Sequence, residues 1–283
     1  MSKSKILILG SSGFIGSRLM TKFNAVLVDF EIVGWSSEKD ITKPAIIDEI
    51  VELKPDYIVI AAGKTFVPDS WNDPLAFFSV NTHGVTNVAD AARICSAKIV
   101  YLSTFVYGAP YELPISEKNP IEPFNPYASS KYLAEKILQD YGRHFGVETN
   151  VLRVFNVYGR GQRSDFLVPM LIQQFKSSDK IQVKDLSPKR DYVNVDDLVD
   201  AILAAVKKFE GFQIFNVAGG KSYSVQEVID LIFKAGGRTL KVQSENTVRL
   251  NEVNDTLADI SKIKRDLNWE PKISMEDGLR DLL

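Results

Sequence analysis

The chain has 283 residues, 45% hydrophobic and 25% charged, enough for one large domain or two unequal ones with a full apolar core; disordered, collagen-like and coiled-coil chains are excluded. A net charge of −2 argues against nucleic acid as the main partner, because tracking phosphates needs a basic surface. The single cysteine, Cys95, excludes an intramolecular disulfide, and with only two histidines, His83 and His144, it leaves too few ligands for a zinc site.

Taken in chain order, a basic start and the apolar run 6–9 imitate a signal peptide, but the run stops at Gly10. No later run approaches the ~20 residues a membrane span needs, so no membrane association is expected and a reducing cytoplasm is the expected compartment. Short apolar runs at 6–9, at 26–28 or 31–35, and at 57–61, 99–102 and 151–155 read as buried strands. Helical patterns at 14–23, 45–53, 75–96 and 126–145 lie between them. This alternation predicts an α/β fold, a Rossmann-type doubly wound parallel sheet over residues 1–158. Residues 159–283 read as a smaller substrate-binding lobe, some of whose elements return to the first domain. It carries helices at 166–176, 195–209 and 224–236, strands at 181–183 and 212–217, and a mostly polar tail. Ser224 and Glu227 fit a capping box.

The segment Gly10, Ser11, Ser12, Gly13, Phe14, Ile15, Gly16 follows the first strand and opens a helix. Glycine at these positions permits a tight turn, close approach of a pyrophosphate to the backbone, and tight helix–strand packing. The helix N-terminus then faces the phosphates. This predicts dinucleotide binding. An acid about 20 residues further on would hold the adenosine ribose. Asp29 fits only if the helix is very short, whereas the strand 31–35 ends in Ser36 and Ser37 with no acid. Serines accommodate a 2′-phosphate that a carboxylate repels, so NADP(H) is preferred over NAD(H). Lys39 or Arg18 either helps to hold that phosphate or is a solvated surface charge. Asp40 and Ile41 border the adenine, or Asp40 is an ordinary helix-approach cap.

Asn125 and Pro126 open a helix in which Tyr127 and Lys131 share one face. A nearby ammonium stabilises a phenolate, so the pair can pass a proton to or from a substrate oxygen.

With these motifs the chain resembles the extended short-chain dehydrogenase/reductase family, in its nucleotide-sugar epimerase, dehydratase and reductase branch. The resemblance rests on residues 10–16, 61–63, 81–84, 103–108, 127–131, 153–159, 190–197, 215–219 and 258–262, in that order and spacing. It implies that Tyr127 is the acid/base, that Lys131 tunes it and binds the nicotinamide ribose, and that either Ser103 or Thr104 orients the sugar oxygen. It assigns Ala61, Ala62, Gly63 and Asn81 to the cofactor. Asn156 and Arg190 match positions that hold the sugar nucleotide. Arg249 is either a second diphosphate ligand or a surface ion pair. Lys64 lies either where cofactor and sugar meet or free in solvent. Trp71 lines that loop or is packing. His83, His144 and Cys95 read as structural.

Three chemistries share this framework. A 4,6-dehydratase carries an acidic pair after the catalytic hydroxyl residue; here Phe105 and Val106 stand there, so elimination lacks its proton carriers. The missing ribose acid and the short segment after the second strand point to an NAD(P)H-dependent reductase of a nucleotide-linked 4-keto-6-deoxyhexose. A 4-epimerase is the alternative, and a non-catalytic dinucleotide-binding subunit is the alternative of another class. The resemblance also implies a homodimer through the helices at 75–96 and 126–145.

Overall fold

In the computed structural model, which describes residues 3–247 and 253–283, the first apolar run is a strand, β1 (Ser4–Leu9), with Ile6, Leu7, Ile8 and Leu9 all buried. Burial of consecutive residues means that both faces of the strand are covered, as in doubly wound sheets. The chain continues through α1 (Phe14–Val26), β2 (Phe30–Trp35), α2 (Ala45–Leu53) and β3 (Tyr57–Ile60). The short helices α3 (Val67–Asn72) and α4 (Pro74–Phe78) follow, and α4 leads through a π-helical stretch (Ser79–Gly84) into α5 (Val85–Cys95). Then come β4 (Lys98–Thr104), α6 (Pro126–Phe145) and β5 (Thr149–Val154). The second strand is therefore the 31–35 run. Val28 is exposed in the turn before it.

The chain divides into two units. The first is Met1–Val106, Ile121–Arg153 and Ala201–Phe215; the second is Tyr107–Pro120, Val154–Asp200 and Asn216–Leu283. The main sheet has the order β2-β1-β3-β4-β5-β9, with β9 at Phe212–Val217. β2, β1, β3 and β4 run parallel. Leu7, Leu9, Ile58, Ile60, Ile99 and Tyr101 form one apolar core with residues of α2, α5 and α6. Strand order reverses between β1 and β3, and in open α/β sheets ligands bind at the carboxyl ends of the strands flanking such a reversal.

The second unit contains β6 (Asn156–Tyr158), α7 (Leu167–Ser177), β7 (Lys180–Val183) and β8 (Lys189–Asn194). α8 (Val195–Lys207) begins in it; β10 (Ser222–Ser224), α9 (Val225–Gly236), β11 (Lys241–Ser244), α10 (Ser261–Leu267) and α11 (Met275–Arg280) complete it. It holds a three-stranded sheet, β10-β8-β6, and a two-stranded one, β11-β7. Its core joins α7, α9 and α11 through Leu171, Phe175, Ile229, Ile232 and Leu279. Ser224 and Glu227 form the expected capping box at the start of α9. The polar tail is more ordered than its composition suggests: Trp269 is buried and donates its indole N–H to the Asp197 carbonyl, 3.0 Å. Among the described residues, no helix is long and apolar enough to cross a membrane, and no group of three or more His, Cys, Asp or Glu is placed to hold a metal.

Candidate active site

The first unit places the glycine turn at the strand-order reversal. Gly10 has φ +84°, a left-handed conformation that favours glycine. A Cβ there would meet the Ala62 nitrogen at 2.7 Å, so the turns after β1 and β3 touch through bare backbone. A Cβ on Gly16 would lie 2.0 Å from the Gly10 carbonyl oxygen, which excludes any side chain. Ser12 and Gly13 are exposed at the tip, and Phe14 and Ile15 begin α1. That helix has no side-chain cap and no acid in its first turn, so its free N–H groups and positive end suit an anion. This cradle fits a dinucleotide pyrophosphate.

The Gly10 and Ser11 N–H groups donate to the Trp35 carbonyl at 2.8 and 3.0 Å, which seats Ser36 and Ser37 beside the turn. Asp29 precedes β2 and stands at the other end of that strand, which removes it as the ribose acid. Lys39 lies over the Trp35 ring and pairs with Glu49 at 2.5 Å. Arg18 on α1 has protein partners of its own. The Asp40 carboxylate accepts from the Thr42 hydroxyl at 2.7 Å and the Thr42 N–H at 3.0 Å, and these bonds lower its pKa. Ile41 is buried in the core and packs against Gly84, so its side chain faces away from solvent.

Beyond β3, the Ala61 N–H donates to the Leu9 carbonyl at 3.0 Å. Gly63 sits beside Asn81 and Lys131. The buried Asn81 side chain, on the π-helical stretch, bonds both backbone groups of Lys64 (2.9 and 3.0 Å) and the Ser130 hydroxyl (3.0 Å). It fixes the loop that carries Gly63. The Lys64 ammonium lies 5.7 Å over the Phe77 ring, and Trp71 is exposed. His83 and His144 are exposed, and Cys95 is half-buried at the end of α5.

Asn125 caps α6 by accepting from the Ala128 N–H at 2.8 Å, with Pro126 in the first turn. Tyr127, Lys131 and Glu135 then follow one another on one face. Thr104 at the end of β4 stands beside the Tyr127 phenol, whose ring meets Phe77 edge-on at 6.2 Å. Burial pushes the Tyr127 phenol above its usual value, and the Thr104 side chain pulls against this. The Lys131 ammonium donates to the Leu102 carbonyl at 2.8 Å and lies 4.8 Å over the Tyr101 ring. Burial lowers its pKa to about 8, with Glu135 opposing.

Ser103 does not share this site. Its hydroxyl donates to Glu135 at 2.5 Å, and Arg153 donates to the same carboxylate at 2.7 Å. One step along β4 points Ser103 into that ion pair and leaves Thr104 for Tyr127, because successive strand residues face opposite ways. The Glu135–Arg153 pair was not among the sequence candidates. The spacing of Glu135, eight residues after Tyr127, was the available signal.

In the second unit, β6 pairs with β8, and Asn156 donates to the Asp191 carbonyl at 3.4 Å. Asn156 and Arg190 thus lie on neighbouring strands. The Arg190 guanidinium donates to the carbonyls of Lys189 and Val253 at 2.7 and 2.6 Å. Asp191 is fully buried and accepts from the N–H groups of Gly219, Gly220 and Ala258 at 2.7, 3.1 and 3.1 Å. Arg249 lies outside the described residues.

Comparison with known proteins gives the family. The model of the NAD dependent epimerase/dehydratase family matches residues 6–218. The chain is 33% identical to GDP-6-deoxy-D-talose 4-dehydrogenase of Aggregatibacter actinomycetemcomitans, over 92% of this chain and 90% of that protein. It is 28% identical to GDP-6-deoxy-D-mannose reductase of Pseudomonas aeruginosa, over 99% and 96%. Among solved structures it resembles RMD from Pseudomonas aeruginosa complexed with NADPH, with a TM-score of 0.92 and 27% identity over 99% of this chain and 98% of that one.

Proposed function

The chain belongs to the NAD dependent epimerase/dehydratase family, and from that premise we propose that it is an NADPH-dependent reductase of a nucleotide-linked 4-keto-6-deoxyhexose, with GDP as the nucleotide. The observation that carries the chemistry is Tyr127 beside Thr104, with Lys131 one turn further along α6. The nucleotide and sugar class rest on the two similar proteins named for GDP-linked 6-deoxyhexoses.

The bare turn of Gly10, Gly13 and Gly16, with the first turn of α1, holds the cofactor pyrophosphate. Gly63 leaves room beside Lys131 for the nicotinamide ribose. NADP(H) is preferred because Ser36 and Ser37 follow β2 where a carboxylate would repel a 2′-phosphate. Lys39 is a candidate cation for that phosphate, in competition with Glu49. When bound, the cofactor supplies the hydride that reduces the sugar ketone. Thr104 orients the carbonyl oxygen, and the Tyr127 hydroxyl gives it a proton. The Lys131 ammonium stabilises the phenolate left behind. In the second unit, Asn156 and Arg190 are the candidate ligands of the sugar nucleotide, with Arg190 on the diphosphate. Ile94, Leu133 and Phe145, exposed on α5 and α6, support a homodimer through those helices. The lone, half-buried Cys95 suits a reducing cytoplasm.

The test is to add GDP-4-keto-6-deoxymannose with NADPH or NADH and follow nicotinamide absorbance. Stoichiometric oxidation, faster with NADPH, is expected. Inversion of a GDP- or UDP-hexose without net oxidation would replace the reading with a 4-epimerase. Cofactor binding without conversion of any such sugar would replace it with a non-catalytic subunit.

A further inference from the structure

The face of α6 that presents Tyr127 and Lys131 continues one turn deeper to Glu135, a carboxylate only 2% exposed. Its oxygens accept from Ser103 and from two nitrogens of Arg153. These bonds lock the Glu135 side chain from β4 and β5, so it cannot turn away from the lysine one helical turn above it. Lys131 itself is 4% exposed. Among the described residues its ammonium donates to the neutral Leu102 carbonyl, and its ring contact is Tyr101. A buried ammonium held by a carbonyl and a ring face alone tends to lose its proton.

We propose that Glu135 is a positioning residue that keeps Lys131 charged, with Ser103 and Arg153 holding its carboxylate in place. The proposal rests on the reading of Lys131 as the residue that tunes Tyr127. The titratable and charged groups around Lys131 are few. Tyr127 and Glu135 lie on α6, and Tyr101 on β4 is a buried phenol with no hydrogen-bond partner among the described residues, far above its usual pKa through burial. Lys64 lies on the loop after β3 and Arg153 on β5; His83 on the π-helical stretch is exposed. Lys64 and Arg153 are cations, so Glu135 is the one anion among these groups. The direction of its influence agrees: it opposes the lowering that burial imposes on Lys131.

The test is the pH dependence of kcat/KM for ketone reduction in wild type, Glu135→Gln and Glu135→Asp. Reduction needs Tyr127 protonated and Lys131 charged, so loss of the lysine proton sets the alkaline limb. An opposite charge within ~4–6 Å moves a pKa by about 1–3 units, and Arg153 offsets part of this. The limb should therefore fall by about one pH unit in Glu135→Gln, roughly a fivefold loss at pH 8. Glu135→Asp, which keeps the charge, should restore most of it. A folded Glu135→Gln enzyme with an unmoved limb overturns the proposal. Breaking a buried ion pair can prevent folding. In that event the Lys131 ammonium is titrated in the wild-type protein by nitrogen-detected NMR, with Lys131→Arg to assign it. A lysine still charged at pH 7 supports the proposal, and one already neutral there overturns it. The two readings fail separately: Tyr127→Phe with normal turnover removes the catalytic assignment, whereas the lysine titration does not depend on turnover.

Discussion

Each unit contains a fully buried carboxylate in a functional neighbourhood, and the two are satisfied in opposite ways. Glu135, in the first unit, meets a guanidinium and a hydroxyl. Asp191, in the second, accepts from the backbone N–H groups of Gly219, Gly220 and Ala258. Burial pushes the Asp191 carboxyl up to about 7, against the pull of those N–H groups. The contrast separates two uses of the same group. A carboxylate locked by an arginine stands one helical turn from the lysine proposed to tune Tyr127. A carboxyl ringed by amides gathers loops: Asp191 ties residues 219–220 and 258 to the strand that carries Arg190. Changes in the first unit should therefore appear in turnover and its pH dependence, and changes in the second in stability and substrate affinity.

The largest effect expected is from Tyr127→Phe, which removes the proton donor without disturbing the glycine turn. Turnover should fall by about 10²–10⁴-fold, with NADPH affinity, measured by fluorescence titration, unchanged. Normal turnover would erase the distinction between the units.

Asp191→Asn tests the other side. The amide offers one acceptor oxygen to N–H groups that two oxygens now serve. A loss of about 1–3 kcal/mol is expected, read as a fall of several degrees in melting temperature. The pH dependence has a definite sign. The folded state binds the Asp191 proton more tightly than the unfolded chain does. Its contribution is therefore fully present below about pH 4, near the unfolded value, and is lost as the pH rises through about 7. Asparagine does not titrate, so the deficit of the variant should be greatest in acid and narrow towards neutrality. A deficit that grows with pH would place a charged Asp191 in the fold.

Arg190→Lys should raise KM for the sugar nucleotide by about tenfold with little change in kcat, since an ammonium cannot replace a bidentate guanidinium. A matching fall in kcat would move Arg190 into the chemistry. The smallest effect expected is from Ser36→Asp, a shift of a few-fold from NADPH towards NADH in kcat/KM, because a carboxylate repels the 2′-phosphate and can bond a ribose hydroxyl. An unchanged ratio would remove Ser36 from cofactor selection.

Much of the first unit was legible because its signals are local. Ile6 to Leu9 form an unbroken apolar run, the glycines sit between a strand and a helix, and Asn125 and Pro126 mark the start of α6. The choice between Ser103 and Thr104 was not legible, since it depends on which way a strand residue faces when α6 packs beside it. Glu135 and Arg153 are 18 residues apart on different elements, and only tertiary packing joins them. The polar segments at 189–194 and 222–224 carry no apolar alternation strong enough to read as strands, and the sheet β10-β8-β6 forms through pairing over long sequence separations. The ordering of the tail through Trp269 and Asp197 is hidden for the same reason.

The most direct measurement is of hydride transfer itself. NADPH carrying deuterium at the transferable position is mixed with the purified protein and GDP-4-keto-6-deoxymannose, and the sugar product is examined by NMR. The account predicts one deuterium at the reduced C4 carbon for each cofactor oxidised. A product with no label at C4, or no product, would contradict it.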